Sequence, residues 1–175
     1  MVDVIARAKI TDVIYAQLSK DEDLLNGIME ICKRESIKTG LVLSIVGGLK
    51  KARLSMPIKP QAAELPPKFR EWEGGIPCSG VGVIGQTLET YIGSGTGTVY
   101  RAGEPYLHVH LTITVAGETF MGHLIEGCIV RSLHKQSHFT IVLAKVEGAI
   151  LNCKVSEEKT EKYPNGIPIN ELLQL

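Results

Sequence analysis

The chain has 175 residues, with 19 basic and 19 acidic side chains and a formal charge of zero. That length suits one domain with a proper core, and the charge balance argues against an autonomous nucleic-acid binder, which needs a basic patch to capture phosphates. No apolar run reaches the length of a membrane span, and Met1-Val2-Asp3-Val4-Ile5-Ala6-Arg7 lacks the layout of a signal peptide, so a cytoplasmic location is expected.

In chain order, residues 8–17 read as a first strand. Ser19-Lys20-Asp21-Glu22 reads as a helix N-cap with acidic residues in the first turn. Leu24, Leu25, Ile28, Met29, Ile31 and Cys32 follow at helical spacing up to Arg34-Glu35, a face for core packing. Residues 41–46 form an apolar strand that Gly47-Gly48 breaks and residues 49–56 resume. Lys50, Lys51 and Arg53 make a basic stripe there, the kind of solvated edge that discourages strand pairing.

Residues 57–80 hold five of the eight prolines and read as a long loop carrying Lys68, Arg70 and Trp72. Its plain reading is a surface excursion with Trp72 tucked into a groove, and its sharper reading is a lid. Residues 88–99 follow strand periodicity until the run Gly93-Ser94-Gly95-Thr96-Gly97-Thr98. That run lacks the lysine and following helix of a phosphate-binding loop, so a bulge or close backbone approach explains it better.

The strongest signal is Leu107-His108-Val109-His110-Leu111, answered by Gly122-His123-Leu124-Ile125-Glu126-Gly127. Successive side chains on a strand alternate between faces, so His108 and His110 share one face and Leu107, Val109, Leu111, Ile113 and Val115 the other. A turn at Ala116-Gly117-Glu118 makes a hairpin that brings His123 back to that pair. Three imidazoles so placed suit a metal with one position left open, though a solvated polar face would also carry such histidines. Zinc is the first choice among divalent metals, while iron or nickel also accept three histidines. Glu126 reads either as a group that orients a ligand or exchanges a proton, or as a residue tying down the strand corner. Cys128, close by, is an outside candidate for a further ligand.

Residues 128–133, 139–146 and 149–155 read as further strands, with His134 and His138 at the hairpin tip around Lys135-Gln136-Ser137. A charged run (156–162), a Pro-Asn-Gly turn and an amphipathic stub at 170–175 complete the chain. The scattered cysteines Cys32, Cys78, Cys128 and Cys153 read as buried small hydrophobes of a reducing compartment. The expectation is an α+β fold: a mostly antiparallel sheet of seven or more strands with one principal helix. A single domain spans residues 1–155, and residues 156–175 form a tail with a short helix.

The order of the helix, Gly40-Leu41-Val42-Leu43-Ser44-Ile45-Val46-Gly47-Gly48-Leu49, Leu88-Glu89-Thr90-Tyr91-Ile92-Gly93-Ser94-Gly95-Thr96-Gly97-Thr98 and the two histidine motifs resembles the plant and prokaryote conserved (PPC) domain over roughly residues 10–150. The resemblance implies an antiparallel sheet flanked by helices, assembled as a homotrimer, which suits the generous apolar content. In plants this domain follows AT-hooks that bind the DNA minor groove, and no Arg-Gly-Arg-Pro hook occurs here. The fold is also similar to that of acetolactate decarboxylase, whose zinc ligands are a His-x-His pair and a third histidine. Matched by position, that likeness implies His108, His110 and His123 as ligands, and a glutamate and an arginine nearby, for which Glu126, Arg101 or Arg131 stand as candidates. Three functions stay open: a metal-binding domain, a DNA-associated regulatory or scaffold module, and a metal-dependent enzyme acting on a small oxo- or hydroxy-acid.

Overall fold

The structure, a computed structural model, describes residues 4–56, 68–92, 99–132, 139–160 and 163–175. Strand β1 (Lys9–Gln17) leads to helix α1 (Leu24–Arg34), which is followed by β2 (Gly40–Met56) and β3 (Lys68–Thr87). The short strands β4 (Tyr91–Ile92) and β5 (Val99–Tyr100) pair with each other. Then come β6 (Pro105–Val115), β7 (Glu118–Leu124), β8 (Ile129–Val130), β9 (Thr140–Glu147), β10 (Ala149–Val155) and β11 (Pro168–Gln174).

The main sheet runs β1-β9-β2-β7-β6-β3-β10-β11, with β8 attached to β2. Strand β3 also pairs with β2 along most of its length, so β2, β7, β6 and β3 close on themselves. All pairings are antiparallel except that of β10 with β3. The α+β architecture, with a sheet of nine strands and one helix, is the one expected.

The hydrophobic stripe of α1 is buried as its spacing requires: Leu24, Leu25, Ile28 and Cys32 join the core with Leu111, Ile113, Leu49 and Phe139. Each fully buried aliphatic side chain contributes about 1.5–3 kcal/mol. The helix cap differs from expectation. Asp23, not the Ser19–Glu22 segment, caps α1, its carboxylate accepting from the Asn26 N–H at 3.1 Å. Ser19 and Glu22 instead close their own turn, the Ser19 N–H donating to Glu22 Oε2.

Three other expectations are corrected. Gly47 and Gly48 do not break a strand: β2 runs through them, and Gly47 leaves room for the Phe139 ring, which a Cβ would meet at 2.4 Å. The expected loop at 57–80 is a strand from Lys68 onward, while 57–67 lies outside the described residues. A bulge at Leu49/Lys51 absorbs the extra residues of β3, where Gly74 takes φ +121°. Trp72 thus packs within the sheet against Phe120, ring centroids 4.9 Å apart, instead of serving as a lid or loop anchor. Finally, the C-terminal stub is not a short helix. Its residues pair with β10 from Val155↔Pro168 to Ala149↔Gln174, because an exposed sheet edge offers backbone partners that a short isolated helix lacks. The glycine-rich run 93–98 and the segment with His134 and His138 lie outside the described residues.

Candidate metal centre

The β6–β7 hairpin turns at Ala116 (φ 51°) and Gly117 (φ 85°), two consecutive left-handed residues that match the right-handed twist of the flanking strands. That turn fixes the register Val115↔Glu118, Ile113↔Phe120 and His110↔His123. Directly opposed residues share a face, so His123 stands beside His110, and His108 lies one step along the same face.

The ring nitrogens converge. Nε2 of His108 lies 3.3 Å from Nε2 of His110 and 3.3 Å from Nε2 of His123. Among the described residues this is the one cluster of metal-ligating groups, its three nitrogens all within 4.8 Å of one another. Two nitrogens bound at about 2.05 Å with a tetrahedral angle stand about 3.3 Å apart, which the two distances from His108 match, so the three rings are placed to share one ion with a fourth position open. His110 is exposed and the other two are half-buried, which leaves the open side toward solvent.

Electrostatics favours the neutral, ligating form. Burial, reinforced by the neighbouring imidazoles, lowers His123 from 6.5 to about 4. Burial and His110 also lower His108. A lone pair on each of these rings is therefore available at neutral pH, and on His123 well below it. Across β7 from the site, Ser55 pairs with His123 on the histidine face, 2% exposed, with a hydroxyl that has no hydrogen-bond partner among the described residues.

The same face is apolar beyond the site. Following the register, Val13, Ala144, Leu41 and Val83 share a row with His108, and Val81 lies opposite His110. A parallel row carries Val46, Ser79, Thr112 and Met121. Val13, Val46, Val81 and Met121 are each more than half exposed.

Glu126 is not brought to the histidines. It is exposed, and its Oε1 accepts from Asn26 Nδ2 of α1 at 3.5 Å. The corner is held by Asp23, whose Oδ2 accepts from the Gly127 N–H at 2.7 Å, and whose carboxyl is pushed up chiefly by burial. Cys128 faces inward: it is buried, its thiol donates to the Arg53 carbonyl, and burial raises it to about 12, so it is no ligand here. Arg101 and Arg131 are exposed, and the Arg131 guanidinium lies against Gly75. The basic stripe is paired in place, Lys50 with Asp21, while Lys51 and Arg53 share the carboxylate of Glu71.

Sequence reasoning missed the other wall of the site. A cavity of about 230 Å³ opens beside His108 and His123, lined also by Tyr106, Tyr163, Ile167 and Asn170. Tyr106 was within reach of the alternation argument, being two residues before His108. The others come from the C-terminal segment, which β10 and β11 carry back to β6.

Comparison with known proteins is consistent with this geometry. No curated protein matches the sequence. Among solved structures, a metal-containing protein from Archaeoglobus fulgidus superposes with a TM-score of 0.67 at 14% identity, covering 95% of this chain and 99% of the other. A plant- and prokaryote-conserved (PPC) protein from Pyrococcus horikoshii gives 0.66 at 21%, covering 99% and 100%. A candidate DNA-binding protein from Bacteroides thetaiotaomicron gives 0.60 at 14%, covering 93% and 94%. At such identities these likenesses establish the fold. The family model described as the Plants and Prokaryotes Conserved (PCC) domain matches residues 6–135, and the chain belongs to that family.

Proposed function

We propose that this chain is a metal-binding member of its family, holding one divalent ion, zinc by preference, on Nε2 of His108, His110 and His123. The observation that carries this reading is the 3.3 Å spacing of nitrogens held by a fixed hairpin register. The relative described as metal-containing supports it through a shared fold. A zinc ion held there would polarise a bound oxygen and ease its deprotonation. The residues around it set the terms: burial keeps His108 and His123 unprotonated, and the exposed side of His110 leaves the fourth position accessible. Glu126 is assigned to the contact between the corner and α1, not to the metal.

The working form is proposed to be a homotrimer in the cytoplasm. The exposed apolar residues on the histidine face supply a surface for association, and all four cysteines are unpaired and buried, as a reducing compartment allows. No helix among the described residues is long and apolar enough to cross a membrane.

Elemental analysis of tag-free protein, before and after chelation, tests the reading. About one ion per chain is expected, lost in His110→Ala without loss of the assembled fold. Retention of stoichiometric metal by that variant would sink the assignment.

A DNA-associated module is the second reading, favoured by the candidate DNA-binding proteins from Bacteroides thetaiotaomicron and Ralstonia eutropha that share the fold. The ion pairs that engage Lys50, Lys51 and Arg53 weigh against it. Salt-dependent retention on duplex DNA by the metal-free chain would restore it.

A further inference from the structure

The cavity beside the histidines differs in kind from a larger one that includes Ser36 and Lys38, just past α1. That second cavity, about 450 Å³, is lined by Lys38, Lys145 and Glu147 among others. Among the described residues, no charged side chain lines the first. It is lined by His108, His123, Tyr106, Tyr163, Asn170 and apolar residues including Ile167. At about 230 Å³ it is smaller than the roughly 300–1,000 Å³ that drug-sized ligands occupy, so a guest has to be small.

We propose that this cavity binds a small uncharged molecule with an apolar body, which reaches the metal through one lone-pair atom and hydrogen-bonds the Asn170–Tyr106 pair. This rests on the three-histidine reading and names the ligand class for that site. Charge decides against the alternatives. Phosphate has no apolar body to fill the apolar part of the cavity, and a dicarboxylate can present only one of its carboxylates to the ion. Desolvating the second carboxylate without a partner is unfavourable, and among the described residues no basic side chain lines the cavity. Arg53 is engaged by Glu71, and Arg101 and Arg131 do not line the cavity. The small oxo- or hydroxy-acid considered from the sequence needs an arginine to grip its carboxylate, and none lines this wall among the described residues.

The polar end of the cavity is specific in a different way. Asn170 Nδ2 donates to the Tyr106 hydroxyl at 3.4 Å, a long bond that joins β11 to β6. A carboxamide carries two donors and a two-lone-pair oxygen, so Asn170 can keep this bond and still accept from a guest N–H or O–H. Tyr106 in turn stands edge-on to His108, centroids 6.4 Å apart, which places the hydrogen-bonding pair next to a metal ligand. Asn170 and Tyr106 are thereby specificity-determining residues, and Ile167 shapes the apolar part.

Cobalt(II) loaded into the intact chain gives a visible spectrum that reports ligands at the open position. The probes are 4-phenylimidazole at pH 8, where it is neutral, inorganic phosphate and succinate, with azide as a small ligand that needs no cavity. The expected result is saturable spectral change with 4-phenylimidazole, at least tenfold tighter than with phosphate or succinate. Ile167→Trp, which fills the cavity, should weaken 4-phenylimidazole at least tenfold while leaving cobalt content and azide binding unchanged. Asn170→Ala, at an exposed strand position, should weaken it about fivefold, as loss of one hydrogen bond would. Equal or tighter binding of phosphate or succinate overturns the proposal, as does indifference of 4-phenylimidazole to both substitutions when cobalt is bound. Failure to hold cobalt at all overturns the three-histidine reading, and this proposal with it.

Discussion

His123 and Glu126 stand three residues apart, yet they serve different parts of the molecule. His123 lies inside β7, where opposed pairing with His110 fixes which way it points. Glu126 lies past the end of β7, at a corner where Gly127 takes φ +109° and Asp23 grips its N–H. Strand periodicity therefore governs the first residue and stops before the second. The lesson is that closeness in sequence to a candidate ligand says little once the strand has ended between the two residues. Side-chain direction is inherited from the backbone ladder, and here the ladder ends at Leu124.

Substitutions on the two sides of that boundary should separate sharply. His123→Ala is expected to have the largest effect, a loss of metal affinity exceeding the roughly 10–100-fold that losing a mere outer partner costs, read by competition with a chelating dye. Next comes acid sensitivity of the metal-free chain. The fold holds His123 near 4 while the unfolded chain leaves it near 6.5, so between those values the unfolded state binds more protons. Stability is thus fully present above about pH 6.5 and declines as the pH falls toward 4. Thermal unfolding across that window should show the decline, and His123→Gln should flatten it.

On the corner side, Asp23→Ala removes the helix cap and leaves the Gly127 N–H without its acceptor. A loss of about 2–3 kcal/mol is expected in denaturant unfolding, with metal content unchanged. Glu126→Gln should be the smallest, within about 0.5 kcal/mol and with full metal content, since its one contact is a 3.5 Å bond at an exposed site. A drop in metal content for that variant would return Glu126 to the centre.

The same boundary explains what could be read from the sequence. The histidine face was legible because alternation and a two-residue turn are local properties, and both survive in the folded chain. The core face of α1 was legible for the same reason. The cap was not, because the second oxygen of Asp23 finds its donor at Gly127, 104 positions away. Strand β3 was hidden by Pro77, by the prolines that precede it and by its glycines, which mark a bulge and close approaches within a ladder rather than a loop. Tyr163 and Asn170 were hidden because only the pairing of β11 with β10, and of β10 with β3, carries them to the histidines.

That last connection has a dynamic consequence. The ladder joins β10 to β3 at two residue pairs, Asn152↔Gln86 and Cys153↔Thr87, whereas β6 is paired at length on both sides. Segments held by few cross-links open at lower free energy than the body of a sheet, so amide hydrogens of β11 should exchange with solvent before those of β6 and β7. One wall of the cavity can then breathe while the three imidazoles keep their spacing. Entry and exit of a guest would then leave the proposed ion undisturbed, and an occupied cavity would reveal itself as slowed exchange at the C-terminal end of the chain.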